Sequence, residues 1–226
     1  MVIKSVFFFA LVIKLKLFFF KVTYKIAIFI SVMIEKILDE LGEEMLKQPD
    51  QKGWTPLHYA ADMGNFNAVK TFLQKGMGRE AAYMKNSDGN TALHLATVSH
   101  DTETMREIIR QCPDSSELVN NKGWNILHCA VNRKINARGE ISCLGQTIIM
   151  KEILKRRTLG HLINEKDAQG NTPLHHSADT INLLVINDLI ADPRVDLLAF
   201  NNENQNAHDI ASTKRNLVEF GSMPVR

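Results

Sequence analysis

Gly53-Trp-Thr-Pro-Leu-His-Tyr-Ala-Ala61 decides the fold, because the chain keeps repeating it. Near-copies stand at Gly89-Asn-Thr-Ala-Leu-His-Leu-Ala-Thr97, Gly123-Trp-Asn-Ile-Leu-His-Cys-Ala-Val131 and Gly170-Asn-Thr-Pro-Leu-His-His-Ser-Ala178. An eroded fifth copy follows at Asn204-Gln-Asn-Ala-His-Asp-Ile-Ala211. Counted from the threonine slot (Thr55, Thr91, Asn125, Thr172, Asn206), the spacings are 36, 34, 47 and 34 residues. A period of this length marks stacked supersecondary units that form one elongated body rather than separate globular domains.

Each phrase carries its own folding instructions. Gly53, Gly89, Gly123 and Gly170 close turns that call for a positive φ. Thr55, Thr91, Thr172 and Asn125 stand where a side-chain oxygen caps a helix start, and Pro56 and Pro173 occupy the first-turn slot where a missing N–H costs nothing. Leu57, Leu93, Leu127 and Leu174 enter the core. Apolar residues then recur at helical spacing over about 67–74, 103–111, 147–156 and 183–190, giving a second helix per repeat. The expected fold is an all-α solenoid of helix-turn-helix repeats joined by β-turn hairpins. About 13 extra residues in the long third spacing fall around 132–146, a polar insertion read either as a tolerated surface loop or as a binding loop.

A period near 33 residues with a Thr-Pro-Leu-His core resembles the ankyrin repeat. The resemblance narrows at Tyr83-Met-Lys-Asn-Ser-Asp-Gly-Asn-Thr-Ala-Leu-His-Leu-Ala96, at Cys112-Pro-Asp and Glu117-Leu-Val-Asn-Asn-Lys-Gly123, at Leu162-Ile-Asn-Glu-Lys-Asp-Ala-Gln-Gly-Asn-Thr-Pro-Leu-His175 and at Asp192-Pro-Arg-Val-Asp196. These stretches are similar to the plant ankyrin proteins of the accelerated-cell-death and increased-salt-tolerance type, over roughly residues 35–213. The resemblance implies a membrane-tethered, cytosol-facing interaction protein in plant defence, cell-death or salt-stress signalling, located at the plasma membrane, with a cytoplasmic location as the alternative. Members carry a C-terminal membrane block opened by a Pro-Gly-Gly motif. This sequence shows neither, which leads to the expectation of a shortened relative. Residues 35–49 read as one helix of an incomplete leading repeat, 50–213 as four full repeats and a partial fifth, and 214–226 as a tail.

Residues 1–34 differ from the rest: 26 of them are apolar, and five lysines (Lys4, Lys14, Lys16, Lys21, Lys25) stand among them with no acid. The formal charge of +2 for the chain therefore leaves −3 for the remainder, which gives no electrostatic footprint for nucleic acid. A membrane-spanning helix needs roughly 20 uninterrupted apolar residues, whereas the longest lysine-free runs, Ser5–Ile13 and Ile26–Ile34, hold nine each. Lysines cost roughly 2.5–3.5 kcal/mol apiece at a helix centre, and no small-x-small site marks a cleaved signal peptide. Lys4, Lys14, Lys21 and Lys25 fall near one helical face, as an interfacial anchor requires, although Lys16 breaks the stripe. Membrane lipid is the partner expected for this segment. The other open reading is translated sequence of biased composition with no packed structure.

The decorated positions give the candidate partner surface. Trp54 and Trp124 follow the turn glycine where other copies have Asn90, Asn171 and Gln205, and a slot that accepts both indole and amide is expected to be half-exposed. The first-helix ends Asp62-Met63, Val98-Ser99 and Asp179-Thr180 are expected beside those tips. His58, His94, His128 and His175 recur once per repeat, too far apart to share one ion, so the expected role is structural: bonding the cap or a neighbouring turn. Three cysteines (Cys112, Cys129, Cys143) at unpatterned spacing read as thiols of a reducing compartment. No nucleophile elbow, phosphate-binding glycine loop or paired-carboxylate motif is present, so no enzyme activity, cofactor, metal or small-molecule substrate is expected. The expected partners are other proteins.

Overall fold

The computed structural model describes residues 36, 39–40, 42–132, 143–180 and 182–221. The expectations placed on residues 1–34 and on the body of the insertion, 133–142, lie outside these residues. In chain order the helices are α1 (Pro56–Asp62), α2 (Phe66–Gln74), α3 (Gly76–Ala81), α4 (Ala92–Val98), α5 (Thr102–Gln111), α6 (Ile126–Val131), α7 (Cys143–Leu154), α8 (Pro173–Asp179), α9 (Leu183–Ile190) and α10 (Ala207–Gly221). Short 3-10 turns span Glu43–Lys47, Pro113–Glu117 and Arg157–Asn164. Among the described residues there is no strand.

Every phrase starts a helix one residue past its threonine slot, and these first helices form one layer: α1 packs on α4, α4 on α6, α6 on α8 and α8 on α10. The second helices form the layer behind, with α2 on α5, α5 on α7 and α7 on α9. Leu57, Leu93, Leu127 and Leu174 are buried between the layers with Val69, Met105, Ile149 and Val185. Small residues at Ala60, Ala96, Ala130 and Ser177 are buried as well, so the layers approach closely. The third repeat departs from the expected bounds. Its second helix starts at Cys143, because Gln146 stands in the slot of the capping residues Asn65, Asp101 and Asn182. The Gln146 amide donates to the Asn132 carbonyl at 2.9 Å, and its Oε1 accepts from Asn182 Nδ2 at 2.7 Å. In the leading segment the described residues 36, 39 and 40 are helical, and the 3-10 turn that follows buries Leu46 beside the Lys47–Glu80 pair. The last helix runs to Gly221, through what was read as a tail.

The hairpins that join the repeats have a shared lock. Asp50, Asn86, Asn120, Asp167 and Asn201 each stand five residues before a threonine slot. The Oδ1 of each accepts the backbone N–H groups two and four residues on, at 2.8–3.1 Å. This is the Asx-turn chemistry that favours Asp and Asn at such positions. Neighbouring hairpins are then stitched edge to edge: the N–H groups of Ser87, Asn121, Ala168 and Asn202 donate to the carbonyls of Lys52, Asp88, Lys122 and Gln169 at 2.9–3.1 Å. In the eroded fifth copy Asn204 takes the glycine's place at φ 55°, which asparagine tolerates better than other side chains.

The close stitching makes the hairpin glycines critical, Gly89 most tightly. Gly89 sits at φ +78°, and a Cβ there would collide with the backbone of Asn121 in the next hairpin. Gly76, at the start of α3, has open space where a Cβ would go. Urea unfolding should show Gly89→Ala destabilised by about 2 kcal/mol or more. Gly76→Ala should be neutral or stabilised by up to about 1 kcal/mol.

Candidate protein-interaction face

The hairpins and first helices form one continuous face, and its positioning rests on four histidines. In the three threonine repeats, ring Nδ1 of His58, His94 or His175 accepts the backbone N–H of the capping residue at 3.1–3.3 Å and lies 2.7–2.8 Å from its hydroxyl. That acceptor role places the proton on Nε2. His58 Nε2 donates to the Asn90 carbonyl, His94 to Trp124, His128 to Asn171 and His175 to Gln205, at 3.0–3.1 Å. Each receiving carbonyl belongs to the residue just before the next repeat's cap. One imidazole thus caps its own helix and fixes the start of the following one. Among the described residues no group of three or more His, Cys, Asp or Glu side chains is placed to hold a metal ion.

The two tryptophans fare differently. Trp54 is half-buried and packs against Tyr59 with the rings tilted by 45°, centroids 4.9 Å apart. Trp124 is only 7% exposed, which corrects the expectation that both indoles share one accessible face. Its Nε1–H donates to Asp167 Oδ2 at 3.0 Å, and His176 packs edge-on against the indole at 5.0 Å. Asp167 Oδ2 also lies 2.8 Å from His176 Nε2. The Asp167 carboxyl is held below the ordinary aspartate range by the His176 hydrogen bond and backbone N–H donors, against the opposing effect of burial. A carboxylate whose first oxygen is spent on the turn lock needs donors for its second, and Trp124 and His176 supply them. Where the preceding repeat has asparagine instead, the lock residue is an asparagine that donates to it: Asn120 to Asn90 at 2.8 Å and Asn201 to Asn171 at 3.0 Å.

The first-helix ends also move relative to the expectation. A seven-residue helix is about 10 Å long, so Asp62, Met63, Val98, Ser99, Asp179 and Thr180 lie one helix length from the glycine turns and not beside Trp54. They form a second row at the far edge of the face. Met63 is 65% exposed and Asp179 exposed, while Asp62, Val98, Ser99 and Thr180 are half-buried. Ser99 Oγ donates to the Asp62 carbonyl at 2.7 Å, tying two of these ends together. Asn90 and Asn171 are half-buried in the middle of the face by their lock-residue bonds. Between the fourth and fifth copies an open cleft of about 290 Å³ is lined by Asn171, His176, Asp179, Gln205 and Lys214.

Sequence reasoning missed Tyr59. It follows the repeat histidine, is exposed on α1, and its hydroxyl donates to Asp50 Oδ2 at 2.6 Å. The signal was available: in an otherwise repeated phrase this slot changes every time, as Tyr59, Leu95, Cys129, His176 and Ile210. It also missed Asp167, whose periodicity with Asp50, Asn86, Asn120 and Asn201 is unbroken.

The relay histidines make stability depend on pH. Burial pushes His94 and His128 down to about 4, and burial lowers His58 and His175 as well. The folded state thus holds fewer protons than the unfolded chain between about pH 4 and the ordinary histidine value of about 6.5. Their contribution is complete above that value and declines as pH falls through the window. Unfolding free energies from urea titrations should fall by about 2 kcal/mol from pH 7 to pH 5 for each of these two histidines. Replacing either by a residue that does not titrate should flatten the slope.

Comparison with known proteins agrees with this architecture. Residues 46–96 match the family model described as ankyrin repeats (many copies). The chain is 30% identical over 131 residues to the probable 26S proteasome regulatory subunit p28 of Saccharomyces cerevisiae, covering 57% of this chain and 50% of that protein. It is 26% identical over 146 residues to the target of rapamycin complex 2 subunit AVO2 of the same organism, covering 64% of this chain and 31% of that protein. It is 27% identical over 133 residues to the transcription factor MBP1 of Kluyveromyces lactis, covering 57% of this chain and 17% of that protein. The matched stretch spans half or less of each of these relatives. With its capped first helices, its second-helix layer and its stitched hairpins, the chain is an array of ankyrin repeats.

Proposed function

We propose that this array is a non-enzymatic scaffold that holds a partner protein on the hairpin and first-helix face, with the Trp54–Tyr59 pair as the anchor. The observation that supports this reading is the pair itself: two aromatic rings in tilted contact, centroids 4.9 Å apart, with Tyr59 43% exposed and its hydroxyl oriented by Asp50. Pre-oriented tyrosine and tryptophan lose little entropy on binding and are enriched among residues that dominate interface energies. Met63, at the C-terminal cap of the same helix, extends the apolar contact. Two of the similar proteins are named as subunits of larger complexes, which suits a scaffold role. By resemblance to the plant proteins, the setting is defence or stress signalling at the cytosolic side of a membrane, with residues 1–34 as the tether.

Cross-linking capture of partners with the full chain tests the face. Tyr59→Lys combined with Met63→Lys should lower recovery at least roughly tenfold while the urea midpoint stays near wild type. Lys151→Ser, on the second-helix layer, should leave recovery unchanged. Equal loss in both variants, or loss in neither, contradicts the assignment. Flotation with anionic vesicles tests the tether: the full chain should float and a chain lacking residues 1–34 should not. A full chain that stays in solution favours an untethered scaffold.

A further inference from the structure

Counted from the capping slot (Asn65, Asp101, Gln146, Asn182), positions nine to eleven close each second helix. They read Gln74-Lys75-Gly76, Arg110-Gln111-Cys112, Lys155-Arg156-Arg157 and Ala191-Asp192-Pro193. A cation here complements the carbonyl end of a helix, and the first two repeats meet that need with one. The third has three in a row. A second break in the pattern lies close by. Six residues before the turn locks stand Glu44, Glu80 and Asp114, but His161 holds that position before Asp167. The third repeat thus gains cations and loses a carboxylate, in a body whose formal charge beyond residue 34 is −3.

These residues surround an open cleft of about 680 Å³ between the third and fourth repeats, lined by Leu154, Lys155, Arg157, Gly160, His161 and Arg194. Arg194 is fixed in place. Its Nε and Nη2 donate to Asp192 at 2.9 and 2.6 Å, and Nη2 also donates to the Leu154 carbonyl at the end of α7, 2.8 Å away. A Cβ at Gly160 would stand 3.3 Å from Arg194 Nη1. Gly160 has no positive φ, so the backbone does not call for glycine; the missing side chain leaves the space beside Nη1 open. Arg156 turns back to Glu152 at 3.3 Å. His161 Nε2 lies 3.0 Å from Glu117 and 4.0 Å from Glu165. Lys155 and Arg157 are exposed, and among the described residues neither has a carboxylate partner. With Asp192 offsetting Arg194, these two charges are left uncompensated.

We propose that this cleft binds the phosphate group of a phosphorylated serine or threonine on a partner protein. A phosphate monoester carries about −1.5 to −2 near neutral pH, which matches Lys155 and Arg157 together; a carboxylate would offset only one of them. Guanidinium groups donate in pairs to phosphate oxygens, and such charge-assisted bonds are about twice as strong as neutral ones. Arg194 is already oriented, so little side-chain entropy is lost when Nη1 donates. A membrane surface fits less well, because headgroup recruitment draws on clusters of about four to eight exposed cations. The site lies two repeats from the Trp54–Tyr59 pair and does not depend on that anchor.

Fluorescence polarisation of the full chain at low salt tests the proposal, with a labelled heptapeptide carrying one phosphoserine among glycines and serines. The phosphorylated peptide should bind at least roughly tenfold more tightly than its unphosphorylated form, and excess inorganic phosphate should displace it. Lys155→Ser combined with Arg157→Ser should remove the preference with an unchanged urea midpoint, because both side chains are exposed. Arg110→Ser, at the matching position of the preceding repeat, should leave it intact. So should Tyr59→Lys with Met63→Lys, which separates failure of this site from failure of the aromatic anchor. Equal binding of the two peptides overturns the proposal, as does a preference that survives the double serine variant. Recovery on phosphatidylserine vesicles that falls in that variant, without phosphopeptide binding, would assign the cleft to a membrane and overturn it likewise.

Discussion

The rest of the structure depends on the bond from each repeat histidine to the next repeat's backbone. An imidazole with its Nδ1 on one cap and its Nε2–H on the following carbonyl cannot be satisfied unless both repeats are folded and in register. A buried polar group without its partner costs about 1–3 kcal/mol, so each link penalises independent motion of neighbours. Four such links run from His58 to Gln205. The hairpin stitching and the close layer packing presuppose the register that these links set, while the Asx locks form within each hairpin.

Around that constraint the molecule divides its labour. The phrase positions, which barely change between copies, are spent on internal bonds. The slot after the histidine changes in each copy, and its side chains decorate the face or tune the neighbouring joint. Asp167 shows how one joint is tuned. Its carboxylate stands opposite an indole donor, where the asparagine joints pair amide with amide. Such matching keeps each polar atom partnered while letting the surface vary. Asn86 shows what happens without it: opposite Trp54 it finds no acceptor, and its Nδ2 is buried without a partner.

How far the sequence could be read follows from which contacts are local. The helix starts were legible because cap, first-turn proline and core leucine lie within four residues of one another. Second helices were legible because their apolar spacing is helical. The Asx lock was legible in principle, five residues before each threonine slot, but the reading stopped at the glycine turn. The burial of Trp124 was not legible, because it depends on Asp167 and His176, 43 residues away or more along the chain. The ion-pair ladder Arg106–Glu152 and Lys151–Asp188 has the same character, joining residues that share no local pattern. Contacts between repeats fix the exposure of individual side chains, and that exposure separates a joint residue from a surface residue.

Native-state hydrogen exchange on His94→Leu tests the relay most directly. This substitution leaves the Thr91 N–H and the Trp124 carbonyl without their ring partner. If the histidine couples repeats, amides of α4 and α6 should lose protection together, by about 1–3 kcal/mol. Loss confined to the first turn of α4, with α6 unchanged, would show an ordinary helix cap and contradict the account.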